Sequence, residues 1–149
     1  MILDTTYLLP LARIDVETDL LLAIAEKDIS TDLRLEQIKI NSISIFELQA
    51  KAAKLGVKPE YVLNAIEAIT KSFKVESYYS PTIIKTAGGL RKTLFSDYID
   101  CIIVATAIQV KEKLVTEDSR IVKKRGALKD RHNLEVITYR ELLNSQIQE

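Results

Sequence analysis

A chain of 149 residues, 47% hydrophobic and 28% charged, is apolar enough to build one core and too apolar to be largely disordered. Lys plus Arg equals Asp plus Glu at 21 each, which excludes a global field pulling the protein onto nucleic acid or membrane, so any polyanion site is local. A single cysteine, Cys101, and a single histidine, His132, exclude an internal disulfide and leave no local Cys/His zinc or Cys–His motif; any chemistry runs on oxygen ligands.

The first apolar run, Met1-Ile2-Leu3, meets Asp4-Thr5-Thr6 and reads as a short buried strand. After Pro10, the segment from Asp15 to Lys27 carries acids in its first turn and predicts a helix. The β-branched stretch Ile38 to Ile43 predicts a second strand, and Phe46 to Leu55 a helix stopped by Gly56. Pro59 suits the first turn of a helix over Glu60 to Lys71, with Val62, Ile66 and Ile69 on one face. A strand over Phe73 to Ser77 and a helix from Pro81 to Leu90, ending near Gly88-Gly89, come next. Another helix begins at Ser96 or Asp97, followed by a short strand over Lys113 to Thr116, a basic segment from Arg120, a strand over Leu134 to Ile137 and a closing helix over Tyr139 to Gln146.

Strands separated by helical patterns imply crossover units and a parallel sheet covered on both faces, and ligands of such sheets bind outside the carboxyl ends of the strands. Asp4, Glu47 and Asp118 lie at or just past predicted strand ends, and Asp100 in the first turn of the helix before the strand at Lys113. Four carboxylates converging on one sheet edge repel one another, and a hard divalent cation removes that conflict. Three of these acids also have a purely structural alternative: Asp4 as a strand-ending turn residue, Glu47 as a solvated residue near a helix start and Asp118 as the cap of a following helix. Asp97 with Ser96 reads as a helix cap, whereas Asp100, directly before an apolar run that must be buried, is harder to explain that way.

Four segments carry a family likeness: Ile2-Leu3-Asp4-Thr5-Thr6, Ser44-Ile45-Phe46-Glu47-Leu48, Asp100 to Ala107 and Leu114-Val115-Thr116-Glu117-Asp118. In order and approximate spacing they resemble the four acidic motifs of PIN-domain ribonucleases, particularly the VapC-like toxins. The resemblance implies one domain over residues 1–149 with a three-layer α/β/α fold around a mainly parallel sheet, and a Mg²⁺- or Mn²⁺-dependent endoribonuclease. It also implies a homodimer and an antitoxin protein as partner. Carried over, Asp4, Asp100 and Asp118 resemble the metal ligands, with Glu47 the helix acid reaching into the site and Thr116 the hydroxyl preceding the fourth acid. Thr6 stands where Asn or Ser is usual and Ile121 where an aromatic often follows, departures that bear on substrate positioning more than on metal binding.

Charge is segregated along the chain: Asp15 to Glu36 holds seven acids against two bases, and Arg120 to His132 six Lys/Arg against one acid. Lys123, Lys124 and Arg125, with Lys129 and Arg131, are candidates for RNA phosphates or a solvated loop; Arg91 and Lys92 are candidates for a phosphate clamp. Tyr78 and Tyr79 suit base stacking or burial. Thr6, Thr116 and Ser119 read as backbone hydrogen-bonders, Cys101 as a small buried residue and His132 as a loop residue. No apolar run reaches the length of a membrane span and no signal-peptide pattern opens the chain, which predicts a cytoplasmic protein without a membrane partner. A catalytically silent PIN-like module binding RNA or protein is the alternative; a receiver-type phospho-acceptor domain lacks a convincing acceptor aspartate.

Overall fold

The computed structural model describes residues 1–26 and 34–144. Ile2–Leu3 (β1) is followed by a 3-10 helix over Thr5–Ala12, which no sequence periodicity announces. Asp4 caps it by accepting from the Thr5 amide at 2.7 Å, and Arg13, at φ 61°, ends it. The next helix, Leu20–Ala25 (α1), is shorter than the sequence predicts because Asp19, not Asp15, is its cap, accepting from the Leu22 amide. The predicted end at Lys27 lies outside the described residues, as do Asp28 and Asp32 of the acidic segment.

Lys39–Asn41 (β2) ends earlier than its β-branched run suggests. Asn41 is buried, donates to Thr106 Oγ1 at 2.8 Å and accepts from the Ile43 amide at 2.9 Å. That cap starts the next helix at Ser42 rather than Phe46, giving Ser42–Lys54 (α2). Pro59–Ser72 (α3) buries Ala65 and Ile69 and half-buries Val62 and Ile66, and Lys74–Glu76 (β3) follows. Pro81–Thr93 (α4) runs through Gly88-Gly89 instead of ending there. Ile83, Ala87 and Leu90 recur at helical spacing and are all buried, so packing carries the helix past the two glycines.

Tyr98–Val110 (α5) is the central helix; every residue from Asp100 to Ala107 is buried. Leu114–Val115 (β4) comes next. The basic segment then folds into Ser119–Val122 (α6) and Arg125–His132 (α7), so His132 is the last residue of a helix and not a loop residue. Val136–Ile137 (β5) and Tyr139–Asn144 (α8) close the described chain; the predicted end of α8 at Gln146 lies outside it.

The five strands form one sheet in the order β3-β2-β1-β4-β5, and every pairing is parallel. Strand side chains alternate between faces, and the two cores follow that alternation. Ile2, Leu114 and Val136 pack with α4 and α5 residues on one face, Leu3, Ile40 and Val115 with the 3-10 helix, α1 and α3 on the other. Two helical layers therefore sandwich the sheet, the three-layer α/β/α arrangement that the sequence implies. The chain builds outward from β1 to β3 and then returns to the opposite side of β1 at β4. This reversal leaves a crevice outside the carboxyl ends of β1 and β4. No helix among the described residues is long and apolar enough to cross a membrane.

Candidate active site

The crevice is where the acids meet. Asp4 follows β1 directly; its Oδ2 accepts from Thr116 Oγ1 at 2.5 Å, while Oδ1 holds the Thr5 amide. Thr116 is buried just after β4, and its hydroxyl also accepts from the Asp118 amide at 3.0 Å, so one side chain ties the first acid to the fourth. Burial raises the Asp4 carboxyl above its ordinary value; the hydrogen bonds from Thr116 and Thr5 oppose that shift, and the Asp118 charge adds to it.

Glu47 reaches the same place from α2 and accepts from Thr5 Oγ1 at 2.6 Å. Its carboxyl is likewise raised, by burial first and then by the charges of Asp4 and Asp97. Asp100 enters from the first turn of α5. Asp97 caps that helix, accepting from the Ile99 and Asp100 amides at 2.9 and 3.3 Å. Burial, followed by the Asp118 charge, pushes the Asp100 carboxyl up to about 7 even though Arg120 pulls it down. Asp118 caps α6 and titrates below the usual carboxylate range, because hydrogen bonding from Arg120 outweighs its partial burial.

These acids line an open cleft of about 480 Å³, within the range of about 300–1,000 Å³ usual for ligand sites. Asp97 and Glu117 line it too, so six carboxylates face three cations, Lys51, Lys54 and Arg120. Arg120 is the counter-ion at the centre: its guanidinium lies 2.8 Å from Asp118, 3.2 Å from Asp100 and 3.7 Å from Asp97. Among the described residues, no three His, Cys, Asp or Glu side chains stand close enough together to hold a metal ion as they are placed. Each carboxylate is turned to a nearer donor instead: Asp4 to Thr5 and Thr116, Glu47 to Thr5, Asp118 and Asp100 to Arg120. The donor set itself is all oxygen, and three of its acids, Asp4, Glu47 and Asp100, are raised by burial and then by neighbouring carboxylate charge, which is the chemistry a hard divalent cation complements.

The other sequence candidates divide. Thr6 lines the cleft. Lys123 and Lys124 line an adjoining hollow of about 230 Å³ with Asp97, Asp100 and Arg120, on the flank of the acids. Arg125 turns away to pair with Glu141 at 2.6 Å, and Lys129 donates to Asn133 at 3.0 Å. Arg91 in the last turn of α4 lines neither hollow, and Tyr78 and Tyr79 form an exposed edge-to-face pair, 5.2 Å between centroids, after β3. Cys101 is buried, its thiol pushed up to about 11 by burial, and is inert.

Sequence reasoning missed several residues that complete the cleft. Thr5 links Asp4 to Glu47. Glu117 accepts from the buried Tyr7 hydroxyl and the Tyr139 amide, both at 2.7 Å, which fixes the segment carrying Asp118. Lys51 and Lys54 lie four and seven residues beyond Glu47, a helical spacing that signals a shared face.

The model of the PIN domain family matches residues 1–127. The chain belongs to the PIN domain family. Solved structures share its fold: VapBC2 from Rickettsia felis, determined with a DNA fragment from its promoter, is 20% identical with a TM-score of 0.64 over 92% of this chain and 96% of that one. VapBC-1 from nontypeable Haemophilus influenzae is 23% identical with a TM-score of 0.63, over 93% and 96%. A toxin–antitoxin complex from Klebsiella pneumoniae is 19% identical with a TM-score of 0.61, over the same shares. No curated protein sequence matches the chain. In this PIN domain the acidic edge therefore coincides with the crevice that its strand order creates.

Proposed function

We propose that this PIN domain is a divalent-metal-dependent endoribonuclease of the VapC-like toxin type. The observation that carries the reading is that Asp4, Glu47, Asp100 and Asp118, drawn from four separated segments, face one cleft at the reversal point of the sheet. In this reading Asp4, Asp100 and Asp118 would hold Mg²⁺ or Mn²⁺ and Glu47 would help to position the metal or a water. Such a cation supplies an activated water and stabilises charge on a phosphodiester. The protein's own groups do the rest: Thr5 and Thr116 fix the acids, and Lys123 and Lys124 offer charge to the RNA backbone beside them. PIN domains are generally nucleases, the solved relative from K. pneumoniae is a toxin–antitoxin complex by name, and those from R. felis and H. influenzae are named VapBC2 and VapBC-1. In this reading the protein is a cytoplasmic toxin, a single domain over residues 1–149 acting as a homodimer, and the K. pneumoniae complex supports an antitoxin as its partner.

The test is cleavage of single-stranded RNA in Mg²⁺ or Mn²⁺. Asp4→Asn and Asp100→Asn should each abolish it while far-UV circular dichroism stays unchanged; full cleavage by either variant overturns the assignment. One observation favours a second reading, a silent PIN module: Arg120 already holds Asp118 and Asp100, and no acidic trio is gathered as placed. Millimolar Mn²⁺ separates the two, because a metal-dependent enzyme gains thermal stability from it and a silent module does not.

A further inference from the structure

Beyond Glu47, the wall of the cleft formed by α2 carries side chains that the metal-site reading does not use. Phe46 is 60% exposed and lines the cleft next to Glu47. Ala50 and Lys54 follow at intervals of four residues, and Lys51 stands four beyond Glu47, so all lie on one side of the helix and all line the cleft. Lys51 and Lys54 make no ion pair with any described residue, whereas Lys39, Lys71, Arg120 and Arg125 are each engaged by acids. The Lys51 charge favours the ionised forms of Asp4 and Glu47, but no described acid holds either ammonium group in place. The stripe runs over about 12 Å from Phe46 to Lys54 at the rise of an α-helix.

We propose that this stripe is the subsite for unpaired RNA: Phe46 stacks on a base beside the acids, and Lys51 and Lys54 contact the phosphates leading away from it. The inference rests on the ribonuclease reading and adds the side chains that hold the unpaired strand beside the acids. An aromatic face can stack only on a base released from its own helix, and it accepts any base because every base has a π-face. Ammonium groups on flexible stems suit phosphates as point charges without reading sequence. Ala50, between Phe46 and the lysines, keeps the wall low enough for a strand to approach. Lys123 and Lys124 line an adjoining hollow that shares Asp97, Asp100 and Arg120 with the cleft, so a strand that continues past those residues meets further cations.

Binding is measured in the Asp4→Asn background with a fluorescently labelled single-stranded RNA, by anisotropy. Phe46→Ala should weaken it about 5- to 150-fold, the equivalent of about 1–3 kcal/mol per stacked base. Phe46→Tyr should restore it, and a duplex of the same sequence should bind equally to parent and Phe46→Ala. Replacing Lys51 and Lys54 by Ala should flatten the dependence of log affinity on log salt by about 0.7 per lysine. Unchanged single-strand affinity in Phe46→Ala, an equal effect on duplex, or an unchanged salt slope overturns the proposal. So does a loss confined to a purified protein partner, which would make the stripe a protein-docking face. If the unaltered chain cleaves RNA in Mn²⁺ while these variants bind normally, the subsite alone fails. If the unaltered chain neither binds nor cleaves, the ribonuclease reading fails first.

Discussion

Replacing Asp100 with Asn should make the metal-free protein more stable above neutral pH, and the effect can be sized. The Asp100 carboxyl has an ordinary value of 3.8 and sits at about 7 in the fold, raised by burial and by Asp118. Between those two values the folded chain retains a proton that the unfolded chain has released, so stability falls as pH rises through this window and levels off above it. A shift of about three units at about 1.36 kcal/mol each sets a ceiling of about 4 kcal/mol. Asn removes that cost and with it the ion pair to Arg120, whose side chain is 58% exposed; such a pair is worth at most about 1 kcal/mol. The gain wins. Thermal unfolding in EDTA, followed by circular dichroism from pH 4 to 8.5, should show the two proteins converging near pH 4 and Asp100→Asn ahead at pH 8, by at most about 8–16 °C. Because the raised Asp4 and Glu47 remain in both proteins, the difference isolates Asp100. Adding Mn²⁺ should narrow the gap by stabilising the parent. A variant no more stable than the parent at pH 8 would refute the electrostatic account of the cleft.

Thr116→Val keeps the volume but removes the donor to Asp4 and the acceptor for the Asp118 amide; urea unfolding should show a loss of about 2–4 kcal/mol, and a loss under about 0.5 kcal/mol would mean the hydroxyl is not the tie between these segments. Gly89→Ala should raise stability by up to about 1 kcal/mol in the same assay, because an added Cβ meets nothing within 4 Å and α4 continues past this position; destabilisation would mean α4 ends where the glycines suggest. Arg120→Gln in EDTA should cost no more than about 1 kcal/mol, since the guanidinium is largely exposed. The same variant should shift the Mn²⁺ concentration giving half-maximal thermal stabilisation to a lower value, because guanidinium and cation compete for Asp118. A shift to higher concentration would show that Arg120 supports the metal instead.

The acids were legible because each sits at a boundary that chain chemistry marks: a carboxylate after an apolar strand, or in the first turn of an apolar helix. Asp97 could be separated from Asp100 on the same ground, since Ser96-Asp97 precedes the helix while Asp100 precedes the fully buried run, and the structure assigns the cap to Asp97. What could not be read depended on partners distant in sequence. Thr5 and Glu47 are 42 residues apart and Thr116 and Asp4 are 112 apart, so the hydroxyls looked like local hydrogen-bonders and their bridging role was invisible. One boundary was also misplaced. Reading Ile38 to Ile43 as strand put the start of the helix at Phe46 and made Glu47 an ordinary first-turn acid. Asn41, buried against Thr106 on α5, caps the helix at Ser42 instead and moves Glu47 into its second turn. Lys51 and Lys54 keep the same spacing from Glu47 under either boundary, so what the sequence concealed was not their shared side but that this side lines the cleft, while a single tertiary hydrogen bond, which the β-branched pattern opposes, decides where the helix begins.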